Sequence, residues 1–398
     1  MRNALARLTP LALLSLCALP NTVAAQRVQY RLTDRPPGTW RVGGAPLLEI
    51  GGAEGGGPTE FTHIVGVTRL SNGSVVVADA LSRELRHFSA DGEFLGLIAR
   101  QGNGPGELSE LDHLTSVRDT LVVFEGREAV QLFTASGWVR RSRRASLAGH
   151  IVQVPQAVLR PSEVLWWVRQ GSERPLSARG DSLFAGLSSA ADSAIRLLAA
   201  LPLSPTYSVP GGRAIYPLGF APEPLIAAYD DRWCVGYPAV YSIRCLDRAG
   251  RVVLELMREV SAHSVTSAAR DAYRAAASGR RADGTSRYEG SLRAHRERVA
   301  QAARFAASFP AYSQLLISVG GELWVRRYEM EDGLSASRWR SNPRPSRWSV
   351  YDRSGRWVAD ATLPPRFAPS EIGTDYVVGV TSDADDVERV TMWRLTRR

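Results

Sequence analysis

A short glycine-rich motif occurs twice near the start of this chain of 398 residues. The first copy spans Gly55–Phe61 and the second spans Gly102–Leu108. Each copy is followed by an apolar run, a polar turn, a second apolar run ending in an acid (Asp79 or Glu125), and Phe-x-x-x-Gly. A period of about 40–50 residues with four short strands is typical of a β-propeller blade. The two acids are expected to accept hydrogen bonds from backbone N–H groups of the next turn.

Short apolar runs separated by Gly-, Pro-, Asp- or Asn-bearing turns continue along the chain, as in antiparallel all-β domains. Less regular copies cover residues 164–202, 225–256 and 315–361. The last runs, Tyr376–Val380 and Val390–Leu395, are too few for a whole blade, and the stretch Trp40–Ile50 supplies the missing strands. The sequence therefore predicts an all-β fold, a six-bladed β-propeller closed by N- and C-terminal strands. Five or seven blades are the alternatives, because the third copy is poorly marked.

One segment, residues 261–308, lacks strand character and is rich in alanine and arginine. Apolar residues at a spacing near that of a helical turn predict helices over 265–278 and 290–307, joined by a turn at 279–284. This helical hairpin insertion lies between blades four and five and carries nine arginines against four acids. It is interpreted either as a decoration packed over one face or as a lid or docking arm beside the central channel.

The first 25 residues have the pattern of a secretory signal peptide. Arg2 and Arg7 form a positive start, an apolar run covers Leu8–Leu19, and Val23-Ala24-Ala25 provides small residues for cleavage. We therefore expect one propeller domain over residues 26–398, exported to the periplasm or secreted. Lipid anchoring at Cys17 is not expected, because Leu16 precedes it where a small residue is needed. No later run is long enough to cross a membrane.

Export leaves two cysteines, Cys234 and Cys245, in an oxidising compartment. If strands turn around Pro238–Tyr241, the two cysteines face each other across a hairpin at disulfide distance. The sequence therefore predicts a disulfide between them, with two buried free thiols as the alternative.

The chain is basic, with 49 basic residues, 40 acids and a formal net charge of +9. None of the basic residues is a lysine. The charge is spread along the chain without the dense tract of a nucleic-acid-binding protein, and an exported protein rarely meets nucleic acid. We therefore predict no nucleic-acid partner, and attraction to anionic cell-surface polymers fits the charge better.

Two stretches carry a family resemblance: the Gly102 motif, and Ser71-Asn-Gly-Ser-Val-Val-Val-Ala-Asp with the arginine and phenylalanine that follow. Here the chain resembles NHL-type six-bladed β-propellers, well over residues 51–137 and in outline beyond; Ser82 and Glu125 depart from the family pattern. The whole chain is similar to exported bacterial six-bladed β-propeller proteins of unassigned activity. NHL-like propellers include peptide- and protein-binding scaffolds, and related rings include metal-dependent lyases and lactonases. The resemblance implies a fold and a compartment without a reaction.

Two histidines, His63 and His113, lie just before predicted innermost strands. Inner strands line the channel of a propeller, where neutral imidazoles from several blades can hold a metal ion. Asp112 lies beside His113 and can orient it or act as a base. His63, Asp112 and His113 are therefore the candidate residues of the alternative function, a metal-assisted lyase or hydrolase with its site in the channel.

The leading functional prediction is an exported, non-catalytic binding or scaffold propeller that recognises a peptide, a glycan or a protein partner. The helical insertion and an Arg- and Pro-rich loop between two tryptophans would form the contact surface. The candidate contact residues are Arg338, Trp339, Arg340, Arg344 and Trp348. No cofactor is predicted, because the glycine motifs are followed neither by a helix nor by the Lys-Ser/Thr pair of a phosphate-binding loop.

Overall fold

The structure is a computed structural model, and its first described strands belong to the N-terminal segment. It describes residues 25–52, 57–126, 129–143, 146–170, 182–189, 192–209, 214–280, 285–334 and 342–397. The first three strands are β1 (Gln26–Tyr30), β2 (Gly38–Val42) and β3 (Leu48–Ile50). The predicted signal peptide up to residue 24 and the start of the first glycine motif lie outside the described residues.

Three four-stranded antiparallel sheets follow, each formed by strands consecutive in the chain. The first contains β4 (Ile64–Arg69), β5 (Val75–Asp79), β6 (Glu84–Phe88) and β7 (Phe94–Ala99). The second contains β8 (His113–Val117), β9 (Thr120–Glu125), β10 (Ala129–Thr134) and β11 (Gly137–Arg143). The third contains β12 (His150–Arg160), β13 (Glu163–Gln170), β14 (Ser182–Ser189) and β15 (Asp192–Pro202). Each sheet is therefore a meander.

The rest of the chain continues this pattern with additions. A short hairpin of β16 (Thr206–Ser208) and β17 (Ile215–Pro217) precedes a sheet of β18 (Leu225–Tyr229), β19 (Arg232–Gly236), β20 (Ser242–Leu246) and β21 (Val252–Arg258), which β1 extends. The last strands are β22 (Tyr312–Ile317), β23 (Leu323–Arg327), β24 (Ser346–Tyr351), β25 (Trp357–Leu363), β26 (Phe367–Ile372), β27 (Tyr376–Ser382) and β28 (Glu388–Thr396). With β2 between β25 and β28, and β3 beside β28, they form one nine-stranded sheet.

The first sheet shows why the repeated motif folds into strands. Every residue of β5, Val-Val-Val-Ala-Asp, is buried, and β-branched side chains favour extended backbone. The chain reverses between β4 and β5 at Asn72 and Gly73. Gly73 has φ of 90°, which glycine adopts without strain, and Asn72 Oδ1 accepts a hydrogen bond from Ser74 N at 3.0 Å.

The first strands of successive meanders lie side by side. β4 contacts β8, β8 contacts β12, β12 contacts β18, and β18 contacts β22. β26 contacts β4, and Val319 N donates to Ile372 O at 2.9 Å just beyond β22 and at the end of β26. Apolar clusters fill the interfaces; one of them joins Ile64 of β4 to Val378 of β27. We call β4, β8, β12, β18, β22 and β26 the inner strands.

Two helices, α1 (Ser267–Ser278) and α2 (Gly290–Gln301), lie between β21 and β22. Thr266 Oγ1 caps α1 by accepting a hydrogen bond from Ala269 N at 3.2 Å, and Gly279 ends the helix with φ of 72°. α2 ends at Gln301, earlier than the sequence predicts, because the following backbone pairs elsewhere, with Ala306 N donating to Gly219 O at 3.1 Å. In the described part of the chain, no helix is long and apolar enough to span a membrane.

The helices pack with the β16–β17 hairpin and the short 3₁₀ turn Met330–Gly333, and we call these four elements the cap. One apolar cluster contains Tyr207 and Ala303, and a second contains Phe220 and Ala269. Because these clusters lie outside the sheets, the cap has a small core of its own.

The predicted disulfide is present between Cys234 of β19 and Cys245 of β20. The two residues are direct partners in the antiparallel register, and both side chains are fully buried. The bond therefore links neighbouring strands within one sheet.

Candidate functional site

The inner strands define two ends of the central region. We call the end at which these strands begin the upper end, and the end at which they finish the lower end. His63, Asp112 and His113 lie at the upper end, at the starts of β4 and β8.

His63 lies directly before β4, and its side chain is 56% exposed. Its backbone N donates to Asp79 Oδ1 at 3.1 Å, and its Nδ1 lies 3.9 Å from Glu388 Oε1. Glu388 Oε2 also accepts a hydrogen bond from Ile64 N at 2.6 Å. The imidazole therefore lies beside a carboxylate that already holds the start of β4.

His113 and Asp112 are placed on the neighbouring inner strand. His113 Nδ1 lies 3.0 Å from the carbonyl oxygen of Val65, and Asp112 N donates to Phe124 O at 2.9 Å. Across the described ranges, no group of three or more His, Cys, Asp and Glu residues is arranged to hold a metal ion. The structure thus brings the two histidines to adjacent strands without a third described ligand.

The acids at the ends of β5 and β9 brace this upper end. Asp79 and Glu125 are both 1% exposed. Asp79 accepts hydrogen bonds at 3.1–3.3 Å from the backbone N–H groups of Thr62, His63 and Leu81. Glu125 accepts hydrogen bonds at 2.9–3.1 Å from Ser109 N, Ser109 Oγ and Arg141 Nε. Both carboxylates therefore hold the loop that leads into the first strand of their own sheet.

The lower end contains a partly buried polar network centred on Glu371 of β26, a residue that is itself half-buried. Glu371 Oε2 accepts hydrogen bonds from Thr68 Oγ1 at 2.5 Å and from Arg69 N at 3.4 Å. Glu371 Oε1 accepts a hydrogen bond from the Tyr376 hydroxyl. Thr68 Oγ1 also lies 2.5 Å from Ser116 Oγ of β8. Side chains of three neighbouring inner strands therefore form one chain of hydrogen bonds.

Burial controls the ionisation of this network. It raises the pKa of Glu371 above the ordinary 4.5, although the hydrogen bonds from Thr68, Tyr376 and Arg69 act in the opposite direction. The pKa of Tyr376 is raised by burial and by the negative charge of Glu371. At the end of β18, burial and then Glu371 raise the pKa of Tyr229. Glu371 therefore stays protonated to higher pH than an exposed glutamate.

The partners of Glu371 join the last inner strand to the first, β26 to β4. Sequence reasoning missed Glu371, Thr68 and Tyr376, because none of them belongs to a repeated motif. The only local signal is an acid near the end of the run Phe367–Ile372, five residues before a tyrosine. Convergence of groups from distant parts of the chain is what makes this network visible.

The predicted contact loop is only partly described. Arg338, Trp339 and Arg340 lie outside the described residues. Arg344 is exposed, and its Nη1 lies 3.4 Å from Glu331 Oε1 in the 3₁₀ turn of the cap. Trp348 is buried in β24, where its Nε1 donates to Ser346 Oγ at 3.0 Å. Of the two described candidates, only Arg344 is at the surface.

The cap presents a second arginine-rich surface on α2. Residues 290–296 are all exposed, since only the C-terminal part of α2 packs against the other elements of the cap. We call the exposed surface formed by Arg293, Arg296 and Arg298 of this helix the basic face; Arg293 and Arg296 lie one turn apart, whereas Arg298 lies on another side of the helix. Arg293 Nε lies 3.0 Å from Glu297 Oε1. The described part of the insertion carries eight arginines and three acids, so the surface as a whole is positively charged.

Comparisons with known proteins address the fold. No protein-family model matches the chain, and no curated protein matches its sequence. Among solved structures, a member of the DUF4221 family from Bacteroides vulgatus has a TM-score of 0.54 at 8% identity, covering 91% of this chain and 99% of that one. Successive meanders with adjoining first strands, in a nearly all-β chain, decide the architecture. The protein is a β-propeller.

Two further solved structures are similar to this propeller at lower TM-scores. The calcium-binding protein regucalcin from Agrobacterium tumefaciens has a TM-score of 0.40 at 12% identity, covering 91% of this chain and 97% of that one. Virginiamycin B lyase from Staphylococcus aureus, as an inactive variant with quinupristin, has a TM-score of 0.41 at 10% identity, covering 90% and 100%. Because fold similarity at these identities does not carry function, the site itself must supply the functional argument.

Proposed function

We propose that this protein is an exported, six-bladed β-propeller that binds an acidic partner without catalysing a reaction. Counting the nine-stranded sheet as two blades bridged by β2 gives six blades with the other four large sheets. The contact of β26 with β4 and the pairing of β3 with β28 support a ring closed by strands from both ends of the chain. The buried disulfide and the N-terminal signal pattern support export.

The observation that carries the binding proposal is the basic face of α2. The cap core holds the C-terminal part of the helix, while the N-terminal part projects into solvent. A fixed helix with several exposed arginines provides charge-assisted donors for carboxylates, and the guanidinium fork favours planar, bidentate contacts. The partner is therefore an acidic protein or peptide segment; an anionic glycan offers the same carboxylate chemistry.

The state of the central polar groups supports binding over catalysis. Glu371 accepts hydrogen bonds from Thr68, Arg69 and Tyr376 of this chain, and His113 lies against the carbonyl oxygen of Val65. These groups hold inner strands together. A catalytic site would require several of them to meet at a point that a substrate can reach.

The test uses residues 26–398 and compares two triple variants with equal loss of charge. One replaces Arg293, Arg296 and Arg298 with glutamine. The control replaces three exposed arginines on strands that are not part of the cap: Arg41, Arg160 and Arg394. Fluorescence anisotropy measures binding to a labelled oligo-glutamate peptide and to a labelled polygalacturonate.

We expect the basic-face variant to bind oligo-glutamate about tenfold more weakly and the control to stay close to wild type. Equal losses in both variants would contradict docking at the cap, because net charge alone would then explain binding. If the basic-face variant loses affinity for polygalacturonate but not for oligo-glutamate, the surface binds a glycan.

A further inference from the structure

A cleft opens where β2 lies between β25 and β28. Its volume is about 600 Å³, which is within the range of sites that hold small molecules. β2 belongs to the N-terminal segment, whereas β25 and β28 belong to the last part of the chain, and Trp40 of β2 pairs with Ala361 of β25. The cleft therefore forms only when the two ends of the chain meet in one sheet. We call it the β2 cleft.

Arg41 of β2 is flanked by two threonines in this cleft. In the sheet register it lies opposite Thr362 of β25 and opposite Thr396 of β28, and all three residues line the cleft. Side chains at directly opposite positions project from the same face of a sheet, and neighbouring strands are about 4.8 Å apart. A guanidinium with a hydroxyl side chain on each side therefore borders the cleft.

These polar groups have no partners within the described part of the chain. Neither the guanidinium of Arg41 nor the hydroxyls of Thr362 and Thr396 form a hydrogen bond or an ion pair with another described residue. By contrast, Arg347 of β24, which is also opposite Thr362, has its Nη2 3.3 Å from Glu329 Oε1. Among the described residues that line the cleft, Arg41 is the only charged one. The cleft therefore has a positive charge that the protein itself does not neutralise.

Much of the remaining lining is apolar. Leu363, Pro345 and Pro364 contribute to it, and the Gly43-Gly44 turn after β2 forms another part. Gly44 has φ of 92°, which glycine adopts without strain, and no atom lies within 4 Å of the place that a Cβ would take on either glycine. The turn therefore leaves room at the border of the cleft. A ligand that matches this lining combines an apolar body with an anionic head.

We propose that the β2 cleft binds a small carboxylate that has an apolar body. The carboxylate accepts charge-assisted hydrogen bonds from the guanidinium of Arg41 and hydrogen bonds from the hydroxyls of Thr362 and Thr396. The apolar body displaces water from the leucine and proline side chains of the lining.

This site is separate from the basic face, because β2, β25 and β28 are not part of the cap. The oligo-glutamate and polygalacturonate probes lack an apolar body, so the loss of Arg41 is not expected to change their binding. The proposal for the cleft and the proposal for the basic face therefore stand or fall independently.

Isothermal titration calorimetry of residues 26–398 tests the proposal with three probes. Phenylbutyrate carries both the carboxylate and the apolar body, phenylbutyramide has the same body without the charge, and acetate has the charge without the body. The first variant, Arg41→Gln, removes the positive charge, and the second, Thr362→Val, removes one hydroxyl and keeps the shape of the side chain. Both positions are exposed, so neither substitution should affect folding, which melting temperatures verify. Arg394→Gln is the matched control, because Arg394 is exposed on β28 and does not line the cleft.

We expect phenylbutyrate to bind at one site per chain with a dissociation constant below about 1 mM, and phenylbutyramide and acetate to bind at least about tenfold more weakly. Arg41→Gln should weaken the binding of phenylbutyrate about tenfold and Thr362→Val about threefold, while Arg394→Gln leaves it unchanged. The proposal is overturned if phenylbutyrate shows no saturable binding up to about 10 mM, or if the amide or acetate binds as tightly as phenylbutyrate. Equal losses in Arg41→Gln and Arg394→Gln would also overturn it, because net charge alone would then explain the binding.

Discussion

The two ends of the inner strands differ in how their polar groups are used. At the upper end, Asp79 and Glu125 hold loops, and the two histidines lie at the surface or against backbone. At the lower end, Glu371 accepts hydrogen bonds from hydroxyls of β4 and of the start of β27 in a partly buried network. Histidine is the residue that suggests catalysis in a sequence, whereas the densest convergence lies at the opposite end, around a glutamate and hydroxyls. The residue types that suggest a site in the sequence and the place where polar groups meet in the structure are therefore different here.

The largest expected effect concerns the upper end. Asp79→Ala removes the acceptor of three backbone N–H groups and leaves Arg86, whose Nη2 is 3.6 Å from Asp79 Oδ2, without that carboxylate. We expect a loss of about 3 kcal/mol in the free energy of unfolding, measured by urea denaturation. Asp91→Ala in an exposed turn is the control. A loss similar to that of the control would mean that the carboxylate does not brace the upper end.

The next effect concerns the lower end. Glu371→Ala leaves the buried residues Thr68 and Tyr376 without the acceptor that their hydroxyls share, and we expect a loss of about 2 kcal/mol by the same measurement. Thr374→Ala in the exposed turn after β26 is the matched control. If Glu371→Ala is as stable as this control, the network does not hold β26 against β4.

A smaller, pH-dependent effect follows from the raised pKa of Glu371. A raised pKa in the folded state means that the carboxyl favours folding at pH below its ordinary value of 4.5 and that this contribution disappears as pH rises through the folded-state pKa. The melting temperature of the wild type should therefore fall relative to that of Glu371→Gln as pH increases from 4.5. If the difference in melting temperature between the wild type and Glu371→Gln stays constant over this pH range, Glu371 is not desolvated.

The smallest expected effect distinguishes binding from metal-assisted catalysis at the upper end. His63→Ala and His113→Ala should each change the free energy of unfolding by less than about 1 kcal/mol, because both side chains are largely solvated. Calorimetric titration of the mature protein with Zn²⁺ and Mn²⁺ should give no saturable binding. Stoichiometric binding that both variants abolish would contradict the non-catalytic proposal and favour the enzyme alternative.

Local sequence signals predicted much of the fold. The runs of β-branched residues in β4, β5, β8 and β9, the Asn72-Gly73 turn and the cysteine spacing each act within one sheet, so short-range rules apply. The strands β1 and β26 were missed, and so was the β16–β17 hairpin. β1 pairs with β21 more than 200 residues away, as Gln26 with Leu254 shows, and such pairing leaves no periodic trace in the strand itself.

The candidate residues divide along the same line. The repeat predicted that His63 and His113 lie at the starts of inner strands. Whether a third metal ligand lies near them depends on side chains of other blades, which the repeat does not specify. The Glu371 network could not be predicted, because it exists only once strands that are distant in the chain are neighbours. Glu371 meets Thr68 across 303 positions of the chain.

The sequence by itself determined that this chain forms repeated meanders and an arginine-rich helical insertion, because each of these is specified by neighbours along the chain. Only the tertiary structure decided which polar groups are buried together and which outer edges are left uncovered. Both depend on contacts between segments far apart in sequence, such as those that bury the carboxyl of Glu371 and raise its pKa, and those that place β1 beside β21.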